Sequence, residues 1–270
     1  MPHTPSPSPS SPPPASSPDA VVAALRAAGC VFAEDEAELI LDAARTPRDV
    51  AAMVRRRAAG LPLELVVGWA KFHGRRITVE PGVFVPRRRT EFLVEQALAQ
   101  SPAAAVVVDL CCGSGAVGAA LAAGLGDVAL HAADIDPAAV RCARRNVAPL
   151  GGQVHRGDLF EALPEELRGR VDILAANVPY VPSDEIGLLP PEARDHEPRV
   201  ALDGGADGLD VLRRVAAGAP GWLAPGGCLL VETGRGQAPA AVDAFTTAGL
   251  RTRLAVCEER YAHVVVGVQP

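Results

Sequence analysis

A run of four residues near the middle of the chain, Asn177-Val178-Pro179-Tyr180, follows an apolar, strand-like segment. Proline cannot donate a hydrogen bond inside a central strand, and asparagine at a strand end commonly turns the chain. One interpretation is therefore a simple turn. The other is a pocket that holds a planar group, with the amide of Asn177 as a polar contact and Tyr180 beside it. The rest of the sequence has to decide between the two.

A glycine-containing segment, DLCCGSGAVG, forms a second candidate site. Asp109 ends an apolar segment, and Gly113 and Gly115 allow the backbone to approach a ligand closely before a helix begins. In a doubly wound sheet, ligands bind at the carboxyl ends of the strands, near the point where the strand order reverses. A glycine-rich turn alone is weak evidence, because many α/β domains need glycine there to turn the chain.

Acidic residues after the next two strands strengthen the prediction of a nucleoside site. Asp134 lies roughly 20 residues beyond the glycine loop, where a carboxylate can accept hydrogen bonds from a ribose. Asp136 stands directly before a proline and is assigned to the cap of the next helix. Asp158 is predicted to contact a base, with Leu159 and Phe160 as apolar cover. The G-x-G-x-x-G fingerprint of dinucleotide sites and the G-x-x-x-x-G-K-[ST] loop of nucleoside triphosphate sites do not occur.

Strand-like and helix-like segments alternate from Thr90 to the C-terminus. The apolar runs AAAVVVDL, DVALHAADI, RVDILAAN and GGCLLVET are typical of buried strands, and helical spacing appears between them. The pair RTRLAVCE and AHVVVGVQ completes the series. This alternation predicts an α/β domain with a mostly parallel sheet that is covered by helices on both faces.

The first third of the chain has a different composition. Residues 1–18 are almost entirely Pro, Ser and Thr, which predicts a disordered tail. Residues 19–68 contain three helical segments that are too short to be stable alone and should form a small bundle. In residues 69–88, alternating apolar residues flank Pro81-Gly82 and predict a connecting hairpin that turns there. Residues 89–270 then form the α/β domain.

Overall charge and composition exclude several classes of protein. The 270 residues carry a formal net charge of −6, which argues against a surface built to coat nucleic acid. Short basic runs occur at 55–57, 75–76 and 87–89. The six cysteines show no zinc-ligand spacing, and no metal site is predicted. Without a bilayer-length apolar run or a secretion signal, we expect a cytoplasmic protein that has no membrane partner.

Six segments together resemble the protein glutamine N5-methyltransferases of the HemK/PrmC family. They are VVDLCCGSGAVG, ADIDPAAVRCARRNV, GDLF, NVPYVP, HEPRVALDGGADGLDVLRR and LAPGGCLLVETGRGQ. The upstream segment GWAKFHGRRITVEPGVFVPRRRTEFLVEQAL resembles the connecting hairpin and first catalytic-domain helix of the same family. This resemblance implies a class I, Rossmann-like methyltransferase fold with a seven-stranded sheet. It also implies a small N-terminal helical bundle that is joined to the sheet by a β-hairpin.

The resemblance implies S-adenosylmethionine as the methyl donor and S-adenosylhomocysteine as the product. The residues that it implies for donor binding are Asp109, Cys111, Cys112, Gly113, Ser114, Gly115, Asp134, Asp158, Leu159 and Asn177. Cys111 stands where the family usually has glycine. Its side chain is expected to narrow the loop and to alter donor affinity.

For the acceptor, the resemblance implies that Asn177, Val178, Pro179 and Tyr180 bind a glutamine side chain. A carboxamide nitrogen is a poor nucleophile, because its lone pair is delocalised, so both N–H bonds must be fixed while the lone pair points at the methyl group. The oxygen of Asn177 and the carbonyl of Val178 would accept these N–H bonds, and Tyr180 would lie against the flat group. The family usually has proline at position 178. Valine keeps the carbonyl, and Pro179 still restricts residue 178 to extended backbone.

Peptide chain release factors, at the glutamine of their GGQ tripeptide, are the leading substrate that the resemblance implies. The alternatives are a glutamine of a ribosomal protein, the N6 amine of adenine in nucleic acid, and a catalytically weak module that binds the donor and a partner. Salt-sensitive affinity for DNA or RNA would favour adenine, and donor binding without turnover would favour the module. The N-terminal bundle is predicted to recognise the protein substrate. Contact with ribosomal components and a monomeric state are further expectations.

Overall fold

Residues 17–100, 103 and 105–270 are described by the structure, which is a computed structural model. Residues 1–16 of the predicted tail lie outside the described part of the chain. None of the described helices is both long enough and apolar enough to cross a bilayer.

The first of the two units in the chain ends at Val67, and its described residues form four helices. They are α1 (Pro18–Ala27), α2 (Ala33–Ala43), α3 (Pro47–Ala58) and α4 (Leu63–Val67). The sequence predicts the first three, whereas α4 is too short to show helical spacing. The assignment of residues 17 and 18 to the tail is wrong. The side chain of Ser17 caps α1, and Pro18 occupies its first turn, where proline is favoured.

An apolar core of its own holds this unit together. Its buried members are Val21, Leu25, Ala33, Ala37, Ile40, Val50 and Val66. Arg57 of α3 and Glu36 of α2 form a largely buried ion pair, with Nε 2.6 Å from Oε2. Helices of this length are marginal alone, so their stability depends on this shared core.

The hairpin at the start of the second unit turns at a different place from the predicted one. Strands β1 (Trp69–Phe72) and β2 (Arg75–Thr78) pair in antiparallel register around His73 and Gly74. Both turn residues have positive φ, 47° and 74°, as tight two-residue hairpins require. The prediction of a hairpin turn at Pro81-Gly82 is wrong.

Residues 80–83 do form a turn, but the segments on either side of it do not pair as strands. The backbone N–H of Val83 donates to the carbonyl of Glu80, and the N–H of Val79 donates to Gly68. Beyond the turn, the N–H of Val85 donates to the carboxylate of Glu197. The alternation of apolar residues here reflects burial of Val79, Val83 and Val85, not strand pairing.

The second unit, which begins at Gly68, contains a seven-stranded sheet with the order β5-β4-β3-β6-β7-β9-β8. The strands are β3 (Val106–Leu110), β4 (Ala129–Asp134), β5 (Gln153–Arg156), β6 (Val171–Ala176), β7 (Leu223–Thr233), β8 (Arg251–Cys257) and β9 (Ala262–Val268). The pairs from β5 to β7 are parallel, and β9 is antiparallel to both of its neighbours. The predicted α/β fold with a mostly parallel sheet is confirmed.

Helices cover both faces of this sheet. They are α5 (Glu91–Gln100), α6 (Ala116–Leu125), α7 (Pro137–Val147), α9 (Asp210–Gly218) and α10 (Ala238–Thr247), whereas the short helix α8 (Pro191–His196) contributes no residue to either core. Successive residues of a strand enter different cores: Val107 belongs to the core that contains residues of α5, α6 and α7, whereas Val108 belongs to the core that contains residues of α9 and α10. Continuous apolar strands are therefore required, because both faces of a parallel sheet are buried.

The strand order reverses at β3, which lies between β4 and β6. Connections from neighbouring strands leave toward opposite faces at such a point, so a crevice opens beyond the carboxyl ends of the strands. The glycine loop follows β3, Asp134 ends β4 and Asn177 follows β6. The topology therefore brings the two candidate sites of the sequence to one crevice.

Candidate active site

A cavity of about 270 Å³ lies in this crevice. One half is formed by the ends of β3 and β4 and by the segment after β5, and we call it the donor half. The other half is formed by Asn177–Tyr180, which we call the acceptor loop, together with parts of residues 83–89 and 189–202. The two halves share one volume, as a reaction between two bound molecules requires.

Of the residues predicted to bind a ligand, nine line the cavity: Cys111, Gly113, Asp134, Asp158, Leu159, Asn177, Val178, Pro179 and Tyr180. The other four, Asp109, Cys112, Ser114 and Gly115, are buried and do not line it. Asp109 belongs to β3, and the other three are buried residues of the glycine loop itself.

The backbone of the glycine loop explains the residue types found there. Gly113 and Gly115 have φ of 54° and 76°, and a Cβ on Gly115 would lie 2.8 Å from a methyl group of Val147 in α7. A Cβ on Gly113 would meet nothing closer than 4.0 Å, so the loop is open on that side. Cys111 also has a positive φ, 54°. A left-handed conformation favours glycine, and cysteine in it costs about 1–2 kcal/mol.

Asp109 lies at the end of β3, but its carboxylate points away from the cavity. Its Oδ2 accepts a hydrogen bond of 2.8 Å from the backbone N–H of Gly118 in α6. Burial raises the pKa of this carboxyl to about 8, only partly offset by that hydrogen bond. Asp109 therefore fastens β3 to α6.

Asp134 lies at the cavity and also holds the glycine loop in place. Its Oδ2 accepts from the N–H of Gly113 and its Oδ1 from the N–H of Asp136, each at 2.9 Å. Burial is the largest influence and raises the pKa of this carboxyl. Asp136 accepts from the N–H of Ala138, so the predicted helix cap is confirmed.

Asp158 and Leu159 line the donor half from the segment after β5. Oδ2 of Asp158 lies 2.7 Å from Nη2 of Arg214 in α9, an ion pair that the sequence does not reveal. Phe160, expected as apolar cover, instead stacks on Trp222 with ring centroids 5.7 Å apart. The apolar surface comes from Leu159 and from Ile135, Ala139 and Val211, which the sequence interpretation missed.

The acceptor loop presents two oxygens that have no hydrogen-bond partner among the described residues. The buried Oδ1 of Asn177 accepts no hydrogen bond. No backbone hydrogen bond among the described residues ends on the carbonyl of Val178. A buried acceptor without a partner costs about 1–3 kcal/mol, so such a group at a cavity indicates a donor supplied by a ligand.

Tyr180 belongs to a network of three residues at the wall of the acceptor half. Its hydroxyl contacts Nη2 of Arg89 and lies 3.4 Å from Oε1 of Glu232, while Nε of Arg89 donates to the same Oε1 at 2.9 Å. Burial raises the pKa of Tyr180 to about 12, and the nearby Glu232 acts in the same direction. The hydroxyl is therefore a neutral group at ordinary pH. Neither Arg89 nor Glu232 was identified from the sequence, although Glu232 stands near the end of a strand.

A second ion pair joins the two outer walls of the acceptor half. Nη2 of Arg87 lies 2.7 and 2.6 Å from the two carboxylate oxygens of Glu197, which also accepts from the N–H of Val85 at 3.1 Å. The side chain of Glu197 is 1% exposed and that of Arg87 is 33% exposed. The pair fixes the segment before α5 to the segment after α8.

The charge around the cavity suits a ligand with a positive group beside a planar apolar one. Asp134, Asp136 and Asp158 lie at the donor half, where Arg214 offsets one of the three carboxylates. No group of three or more His, Cys, Asp or Glu residues in the described ranges could hold a metal ion. The groups that the cavity offers to a ligand include carboxylates, an amide oxygen and apolar side chains.

Comparisons with known proteins show which families this chain resembles. A family model described as methyltransferase small domain matches residues 74–186. The release factor glutamine methyltransferase of Geobacter sulfurreducens is 41% identical over 208 residues, covering 75% of this chain and 72% of the relative. That of Mycolicibacterium smegmatis is 40% identical over 250 residues, covering 86% and 88%. The 4-amino-L-phenylalanine/4-methylamino-L-phenylalanine methyltransferase of Streptomyces pristinaespiralis is 39% identical over 205 residues, covering 73% and 69%.

Solved structures share the fold at much lower identity. A methyltransferase from Pyrococcus furiosus has a TM-score of 0.55 and 13% identity, covering 83% of this chain and 99% of its own. A 16S rRNA N2 G1207 methyltransferase of T. thermophilus, in complex with AdoMet and guanosine, has a TM-score of 0.53 and 22% identity. It covers 75% of this chain and 50% of its own. At sequence identities this low, the similarity to these structures shows a shared fold and nothing about function.

Proposed function

Because this chain belongs to the release factor glutamine methyltransferase family, we propose that it methylates the side-chain amide nitrogen of a glutamine in a peptide chain release factor. The proposed methyl donor is S-adenosylmethionine. The observation that carries the proposal is the unpartnered Oδ1 of Asn177 at the shared cavity. A primary amide supplies the N–H donors that such an acceptor lacks.

The residues of the donor half fit an adenosine with a sulfonium. Asp134 reaches the cavity from the end of β4, where the ribose hydroxyls of a nucleoside would be bound. Ile135, Ala139, Leu159 and Val211 offer the apolar surface that a base needs. When bound, the donor supplies a methyl group on a positively charged sulfur, and the carboxylates around the cavity favour that charge.

The acceptor loop orients the amide. Asn177 Oδ1 and the carbonyl of Val178 accept the two N–H bonds, which leaves the nitrogen lone pair directed out of the amide plane. Charge that develops on the nitrogen during transfer is stabilised by these fixed acceptors. Tyr180 forms a flat wall that is neutral at ordinary pH, since its pKa is raised to about 12. Positioning of this kind, without a strong base, is sufficient, because the methylated amide nitrogen becomes acidic and releases its proton.

One relative supports a second candidate acceptor, a small aromatic amine. The methyltransferase of Streptomyces pristinaespiralis acts on 4-amino-L-phenylalanine by name and is almost as similar as the glutamine enzymes. An arylamine also presents a planar NH₂ group, so the same two oxygens would suit it. The substrate test therefore includes 4-amino-L-phenylalanine beside the release factor.

The decisive experiment incubates the protein with radiolabelled S-adenosylmethionine and a proteome that lacks its activity, and locates the label by mass spectrometry. Label on the glutamine of a release factor GGQ tripeptide supports the proposal. Label on lysine, arginine, a nucleobase or only on the free amino acid contradicts it.

Replacement of Asn177 tests the role of its oxygen. Asn177→Ala is expected to lower kcat by at least 100-fold, as the loss of one preorganised hydrogen-bonding group does in other enzymes. Asn177→Asp, which keeps an acceptor oxygen, should retain more activity. S-adenosylhomocysteine binding, measured by calorimetry, reports whether the donor half survives in each variant. If Asn177→Ala keeps more than a tenth of the wild-type kcat, the oxygen has no such role.

A further inference from the structure

The glycine-rich segment Asp203–Asp210, DGGADGLD, packs against the acceptor loop without lining the cavity. We propose that Gly208 and Gln237 are positioning residues that hold the backbone of the acceptor loop in the geometry for transfer. This inference rests on the proposed function of that loop. It assigns a role to a motif that the chemistry of the cavity leaves unexplained.

Main-chain hydrogen bonds join the segment to the residue that follows the loop. The N–H of Val181 donates to Leu202 and its carbonyl accepts from Gly204, at 3.0 and 2.9 Å. Ser183 continues the contact, because its N–H donates to Gly205 at 2.9 Å. These main-chain hydrogen bonds fix the position of residues 181 and 183, but they do not hold the backbone of residues 177–180.

The glycines allow the segment to touch the loop backbone directly. A Cβ on Gly204 would lie 2.7 Å from the carbonyl oxygen of Pro179. A Cβ on Gly208 would overlap both the carbonyl oxygen of Tyr180 and Nε2 of Gln237. Gly208 also has φ of 75°, where side chains are disfavoured. The acceptor loop therefore rests on a surface that has no room for a side chain.

Gln237, at the start of α10, supplies the hydrogen bonds. Its Nε2 donates to the carbonyl of Tyr180 at 2.8 Å and to that of Asp207 at 2.9 Å. Its Oε1 accepts from the N–H of Gly234 at 3.2 Å. One side chain thus ties the loop, the glycine segment and the end of β7 together. Neither oxygen that is proposed to accept the substrate amide takes part, so both stay available.

This support acts on the loop independently of the residue at position 178. Proline at that position would stiffen the loop from within, whereas Val178 leaves one more backbone rotation free. The contacts of Gly208 and Gln237 stiffen the loop from outside. A displacement of the loop by a fraction of an ångström moves both acceptor oxygens relative to the methyl group, and errors of about 1 Å can cost 100-fold in rate.

The test compares Gly208→Ala with Gly151→Ala. Gly151 has nearly the same φ, 76°, but a Cβ there meets nothing within 4 Å, so this control carries only the backbone strain. We expect kcat to fall 10- to 100-fold in Gly208→Ala and less than twofold in Gly151→Ala. The dissociation constant of S-adenosylhomocysteine should change less than threefold in both. Equal kcat in the two variants, or a loss of donor affinity as large as the loss of kcat, would overturn the proposal.

Two further measurements test the proposal even if Gly208→Ala does not fold. Gln237→Met removes both N–H donors without adding bulk, and it should show the same loss of kcat with unchanged donor affinity even if Gly208→Ala does not fold. Amide hydrogen exchange at Val181 and Gly204 should be faster in Gln237→Met than in the wild type, and unchanged exchange there would contradict the proposal. The exchange measurement needs no acceptor. A wild-type enzyme that methylates no glutamine would refute the proposed function, while the exchange result would still decide whether the loop is held in this way.

Discussion

Cys111, which stands where the family usually has glycine, adopts a left-handed backbone conformation. Cys111 has φ of 54°, a conformation that glycine adopts at little cost, which explains why glycine is usual there. Cys111 also lines the cavity. Burial, with Asp134 and Asp109 nearby, raises the pKa of the Cys111 thiol well above its usual range, so the thiol stays protonated and unreactive.

Asp109 leads to a prediction about stability and pH. Its pKa is raised to about 8 in the folded state, so the folded chain binds a proton that the unfolded chain releases near pH 4. The stabilisation is complete below the unfolded pKa and is lost as the pH rises through 8. The free energy of unfolding of the wild type should therefore fall between pH 5 and 8, by at most about 1.4 kcal/mol per pH unit.

Asp109→Asn should remove most of this dependence, because the amide keeps an oxygen for the N–H of Gly118 and does not ionise. Denaturant unfolding at pH 5, 6.5 and 8 measures the effect. Asp127→Asn, at an exposed side chain, is the control and should leave the pH profile unchanged. Parallel profiles of wild type and Asp109→Asn would show that this carboxyl is ionised in the folded state.

Among the elements, the two irregular segments around the acceptor half are the most dependent on tertiary contacts. Residues 79–87 and 183–202 contain little regular structure beyond α8 and short 3-10 turns, yet both carry residues that line the cavity. Irregular segments hold a fixed shape only if other parts of the chain satisfy their polar groups. Glu197 provides this, since it accepts from the backbone of Val85 and from Arg87.

Glu197→Gln should therefore destabilise the protein, because it leaves Arg87 without its charge partner in a mostly buried position. Removal of one member of a buried pair costs about 3–5 kcal/mol, and the partial exposure of Arg87 reduces this to roughly 2 kcal/mol. Chemical denaturation measures the change. Glu165→Gln, which breaks an exposed pair with Arg168, is the matched control and should have no measurable effect. A similar result for both variants would mean that Glu197 does not fasten the two segments.

At the scale of the whole molecule, the chain combines a sheet unit that contains the complete cavity with a helical unit that has its own core. All residues that line the cavity belong to the second unit. The described residues of the first unit do not line this cavity. We propose that it recognises the protein substrate, and its basic run at 55–57 is one candidate surface.

Deletion of residues 1–67 tests this role. The remaining chain should bind S-adenosylhomocysteine as the full-length chain does and should methylate a short glutamine peptide at a similar kcat. Its KM for the full-length release factor should rise at least tenfold, because the contacts of the first unit are lost. An unchanged KM for the full-length substrate would show that the first unit does not recognise it. The monomeric state and a contact with ribosomal components stay predictions.

The amino-acid sequence by itself determined the alternation of strands and helices beyond Thr90, the mostly parallel sheet, the glycine loop and the acceptor run. These features follow from local causes: apolar runs form buried strands, helical spacing forms amphipathic helices, and glycine marks left-handed backbone. The resemblance implied both Asp134 and Asn177 for donor binding, and the topology brings them to one crevice, because the carboxyl ends of parallel strands meet at one edge.

Only the tertiary structure decided which side chains face the cavity and which fix its walls. Asp109 stands two residues before the lining residue Cys111, and Phe160 directly follows Leu159, but both side chains point into the protein. Arg89 meets Glu232 across 143 positions of the chain, and Arg87 meets Glu197 across 110. No spacing rule connects residues so far apart, because their contact depends on how entire segments cross. Long-range packing also explains why the hairpin was predicted at the wrong place. Val83 and Val85 are buried without belonging to a strand, and their spacing resembles the alternation of a strand, whereas the hairpin turns at His73-Gly74.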